Sequence, residues 1–120
     1  MMGCVFDIGD ETVWSPSLRV GQLYARLLGT LGEFFDRPVG LQYIATDMFE
    51  LDLSLFSDFV HFLMESYQAT EHPIYRSEIG GVLLVSIVLL ERGGASFDAR
   101  NSLEQDLLND ARALSESMPT

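Results

Sequence analysis

At 120 residues, with 48% of them apolar, the chain is the size of one globular domain, large enough to form a core without disulfides or a structural metal. Eighteen acidic residues against seven basic ones give a net charge of −11; this removes the basic face that nucleic acid or an anionic membrane needs and leaves plain solubility or a basic protein partner. The single cysteine, Cys4, excludes an internal disulfide and a multi-cysteine zinc site, and every basic residue is arginine, so Schiff-base and phosphate-loop lysines are absent.

In chain order, Met1-Met2-Gly3-Cys4 lacks the basic and apolar regions of a secretory leader, so the expected location is the cytoplasm. Cys4 to Ile8 alternates as a strand, Gly9-Asp10-Glu11 reads as a turn, and Val13-Trp14 follows as an apolar anchor. Ser15-Pro16 has the form of an N-cap and first helical residue. From there Val20, Leu23, Tyr24, Leu27, Leu28, Leu31, Phe34 and Phe35 recur at three- and four-residue spacing, which predicts an amphipathic helix over 16–35. Arg37-Pro38-Val39-Gly40 stops it, and Leu41 to Glu50 reads as a second strand.

Asp52 is the expected N-cap of a helix reaching about Ala69, with Phe56, Phe59, Val60, Leu63 and Tyr67 as its buried stripe. Pro73 to Arg92 holds the longest apolar run, Ile79 to Leu90, too short by itself to span a bilayer. Pro73 suits a first helical turn and Gly93 a left-handed residue past the end, so this segment predicts a central buried helix. Its β-branched residues and Gly80-Gly81 keep a buried strand as the competing reading. Ser77 and Gly81, one turn apart, predict close approach of a neighbouring helix, with Gly81→Leu unfolding the domain. A last helix starts at Asn101 or Ser102, with Leu103, Leu107, Leu114 and Met118 as its stripe. The expected fold is α+β and helix-dominated: about four helices around a central apolar helix (73–92), with a small two-stranded sheet.

Phe6-Asp-Ile-Gly-Asp-Glu-Thr-Val-Trp-Ser-Pro-Ser17 and Leu89-Leu-Glu-Arg-Gly-Gly94 resemble a group of small uncharacterised proteins from actinobacteria. The resemblance covers most of the chain and brings no activity with it.

Three constellations can carry chemistry. Asp7, Asp10, Glu11, Thr12 and Trp14 place carboxylates beside an apolar wall, where acid–base work becomes possible; the plainer reading is a turn, with Asp7 or Thr12 bonding local amides and Trp14 stapling the helix start. Asp47, Glu50 and Asp52 cluster near the end of the second strand, and pairing of the strands brings Asp47 towards Asp7; the spacing matches no metal loop, and solvated carboxylates with an N-cap at Asp52 explain it. Asp58, His61 and Glu65 share a helical face that reads as solvated. Nothing calls for a cofactor or a metal.

The sequence does not state an activity, and two classes fit it. The favoured one is a non-catalytic acidic interaction module, of inhibitor, antitoxin or immunity type, or an accessory subunit. Its partners are a basic protein or a second copy through the C-terminal helix, with no nucleic acid or membrane. The alternative is a small-molecule-binding protein or small enzyme with an aromatic-lined pocket, using Trp14, Tyr43 and Glu50 for binding and Asp7, Asp10 or Asp47 as acid and base.

Overall fold

The computed structural model describes residues 3–120. In chain order it comprises β1 (Val5–Ile8), β2 (Glu11–Trp14), α1 (Leu18–Phe35), β3 (Leu41–Ala45), β4 (Met48–Leu51), α2 (Leu53–Ala69), α3 (Pro73–Arg92) and α4 (Ser102–Ser115). The fold is α+β with four helices, but the expected two-stranded sheet is wrong: there are four strands, in the order β2-β1-β4-β3. Two antiparallel hairpins lie side by side, joined by parallel pairing of β1 with β4.

The error has a local cause: the partner of the first strand lies in residues read as a turn and an anchor, and the stretch read as the second strand folds back on itself. Gly9, with φ of 60°, is the first of two turn residues, the place that a type II′ hairpin favours for glycine. The residues read as a turn and an anchor then return as β2. A bulge opposite Phe6 and Asp7 turns both Val13 and Trp14 into the core, so the alternation that marks a strand is lost. Leu41 to Glu50 likewise reverses at Thr46-Asp47.

Phe6, Ile8, Trp14, Phe49 and Leu51 form the buried face of the sheet. Phe6 stacks between Phe49 and Trp14, with ring centroids at 4.7 and 5.1 Å, and Tyr24 of α1 meets it edge-on. Close approach of α1 depends on Gly21, where a Cβ would lie 2.1 Å from Cys4 Sγ.

α1 starts two residues later than expected. Ser17, not Ser15, is the N-cap, because Pro16 is still paired to the sheet through the Cys4 amide at 3.0 Å. The buried face of α1 is also narrower than its apolar stripe. Gly21, Tyr24, Ala25, Leu28 and Gly32 face the core, whereas Val20, Leu23, Leu27 and Phe34 are 51, 58, 46 and 70% exposed.

α2 is capped by Asp52, which accepts from the Leu55 amide at 2.9 Å, and it buries Phe56, Phe59, Val60 and Leu63. α3 is a helix over its whole expected length and buries Ile79, Val82, Leu83 and Ser86 to Leu90 among its neighbours. As a 20-residue helix it is long and apolar enough to cross a membrane; here it is the core helix of a globule with a radius of gyration of 13.6 Å. Gly93 is not the left-handed residue: its φ is −77°, while Gly94 has φ of 99°. At Gly93 a Cβ would lie 2.6 Å from Ile8 Cδ1, so a side chain there would make the end of the Ile8 side chain shift.

The close helix contact expected at Gly81 is absent, since nothing lies within 4 Å of a Cβ built there. α4, capped by Asn101, turns Leu107, Leu108 and Ala111 into the chain's own core, and Met118 follows them.

Candidate functional site

Among the described residues, no helix packs across the second face of the sheet. Strand alternation puts Phe6, Ile8, Phe49 and Leu51 inside and leaves Val5, Asp7, Met48 and Glu50 outside. Two registered rows cross this face. Thr12, Asp7, Glu50 and Gln42 form a polar row, through the pairs Asp7–Thr12, Asp7–Glu50 and Gln42–Glu50. Val5 and Met48 form an apolar row beside it, extended by Ile44, the additional residue of a bulge in β3. Met48 and Ile44 are 41 and 51% exposed.

Asp7 and Glu50 therefore stand next to each other on parallel strands about 4.8 Å apart. Thr12 Oγ1 donates to Asp7 Oδ1 at 2.7 Å and fixes one carboxylate; Glu50 is exposed. Two carboxylates and a hydroxyl on an open face can accept hydrogen bonds from a cationic group. They fall short of the roughly six to eight oxygens a calcium ion takes.

The other sequence candidates are dispersed. Asp10 sits on the exposed β1–β2 turn, and Asp47 on the β3–β4 turn at the opposite end of the sheet. Asp47 does not approach Asp7. Its carbonyl accepts from the Val5 amide at 3.0 Å, and its charge adds to burial in pushing the Cys4 thiol up. Trp14 is buried on the helical side. Tyr43 is on that side too, at the sheet edge, 60% exposed with its ring edge-on to Phe49 at 5.1 Å. His61 binds the Ser57 carbonyl at 2.8 Å and stacks on Phe97. Sequence reasoning included Thr12 in the opening constellation but missed Gln42, Ile44 and Met48 as site residues. A hairpin reading of Leu41 to Leu51 supplies the signal, because it places Gln42 opposite Glu50.

The model of a family of unknown function (DUF6086) matches residues 2–120. The chain belongs to this family. No curated protein and no solved structure matches it. The family description assigns no chemistry, so the functional reading of this DUF6086 member rests on the surface just described.

Proposed function

We propose that the protein is a non-catalytic interaction module whose uncovered sheet face binds a basic protein partner. The observation that carries this reading is the pairing of the Asp7–Glu50 row with the exposed Met48–Ile44 row on a face that no helix covers. Protein interfaces combine an apolar centre with a polar rim, and a chain at −11 attracts a cationic surface over long range. Inhibitors, immunity proteins and accessory subunits all work by such docking.

The test is capture of partners on the immobilised protein, compared with an Asp7→Asn/Glu50→Gln/Met48→Ser variant and with an Asp106→Asn/Asp110→Asn variant on the exposed side of α4. A basic partner lost only with the sheet variant supports the proposal; equal retention by both variants overturns it. Rising salt should weaken the capture, since exposed charges are screened.

A second reading, an apolar small-molecule site, draws on an open groove of about 310 Å³ between α1 and α3 that includes Trp14 and Tyr24 in its wall. Thermal stabilisation by an apolar probe, abolished by Gly81→Met, would favour it.

A further inference from the structure

α1 keeps a feature that folding of the single chain does not use. Val20, Leu23, Leu27 and Phe34 form one exposed apolar strip along it, continuous with the groove that Gly81 and Val85 line on α3. Solvent-exposed apolar strips of this kind mark association surfaces.

The charges of α1 run against its own macrodipole. Arg19 lies in the first turn, Glu33 lies in the last turn and Asp36 is the C-cap; the first turn has no acid and the last no base. Helix dipoles favour the reverse arrangement. Arg19 and Arg26 also stand apart from the other arginines. Arg37 and Arg76 lie over aromatic rings, Arg92 binds carbonyls, and Arg100 and Arg112 pair with Glu104 and Glu91. Among the described residues, neither Arg19 nor Arg26 has a side-chain hydrogen bond or ion pair.

We propose that the protein forms a two-fold dimer in which α1 packs antiparallel on α1 of a second copy, with the axis beside Leu27. Two independent patterns give centres one residue apart, at Leu27 and Arg26. The apolar strip from Val20 to Phe34 has its midpoint at Leu27, so Val20 meets Phe34 of the partner subunit, and Leu27 meets Leu27 of the partner subunit. Arg19 and Glu33 have their midpoint at Arg26, so an axis beside Leu27 brings Arg19 within about 3 Å along the helix of the level of Glu33 of the partner subunit, in reach of its long side chain. Such self-complementarity is what an isologous interface requires. A parallel arrangement would instead set Arg19 against its own mate. Arg26 meets its mate near the axis, a repulsion within the arrangement. The sheet face takes no part, so this proposal and the sheet-face reading succeed or fail separately.

Sedimentation equilibrium of the full chain tests it. The expected mass is twice 13.4 kDa. Leu27→Glu should give the monomer mass with unchanged circular dichroism, since the position is half-exposed. Arg19→Glu and Glu33→Arg should each weaken the dimer, their mixture should restore it as a heterodimer, and Arg26→Gln should tighten it. A wild type at 13.4 kDa at its highest soluble concentration overturns the proposal. So does a dimer indifferent to Leu27→Glu, or a mixture of the charge variants that fails to reassociate.

Discussion

Glu104 and Arg92 show how this arginine-only chain uses its cations. The Glu104 side chain is 3% exposed and accepts from Arg100 Nε at 3.1 Å, the Arg100 amide at 3.0 Å and Gln68 Nε2 at 2.9 Å. Burial pushes its carboxyl up, but the hydrogen bonds from Arg100 and Gln68 outweigh burial and hold it below the ordinary range. A depressed carboxyl stabilises the fold above its unfolded pKa, and that stability is lost as pH falls through the folded value. Glu104→Gln should therefore cost about 1–3 kcal/mol at neutral pH. The gap in melting temperature between wild type and variant should close in acid, below the unfolded carboxylate value of about 4.3. Arg92 donates to the carbonyls of Val13, Ser115 and Met118 at 2.8, 3.1 and 2.8 Å, holding the end of α4 against β2. Burial lowers its pKa. Lysine keeps the charge but lacks the planar fork, so Arg92→Lys should lose about 2 kcal/mol through unsatisfied carbonyls. Hydrogen exchange at the Ser15 amide, which donates to Pro119 O at 2.7 Å, should quicken with it.

At the scale of elements, two helical glycines have opposite roles. Gly21 is the point where α1 touches β1, and Gly21→Ala should destabilise by roughly 1–3 kcal/mol as the contact is forced apart. Gly81 faces open space on a helix, so Gly81→Ala should stabilise by about 0.5–1 kcal/mol. Chemical denaturation of the two variants reads both values, and a loss at position 81 would contradict the open groove. The helices were legible in the sequence because their signals are local: Asp52, Pro73 and Asn101 mark three starts, and apolar spacing marks the bodies. The strands were not. Four residues hold too few periods of alternation to be distinguished from a turn, and the bulge in the first hairpin breaks what pattern there was.

At the scale of the whole molecule, the fold has an acidic sheet face and a helical face with an apolar strip and two arginines, Arg19 and Arg26, that have no partner among the described residues. The candidate site was half legible. Asp7 and Glu50 were singled out from sequence and are neighbours in space; Asp47, placed beside Asp7 by the same reasoning, lies at the sheet's other end. A single misread hairpin accounts for that displacement. If the sheet face is the docking surface, Glu50→Arg should reduce partner capture at least tenfold while the melting temperature stays within a few degrees, because Glu50 is exposed.

The sequence by itself determined the α+β class, the starts of the last three helices and the apolar run that becomes the centre of α3, since capping, helical periodicity and a long apolar run act through neighbours in the chain. Only the tertiary structure decided which apolar residues of α1 are buried and which two carboxylates meet. Burial on α1 follows where small residues let the sheet approach, and Asp7 faces Glu50 because two hairpins distant in sequence pair in parallel. Those outcomes belong to contacts between segments, which local pattern does not encode.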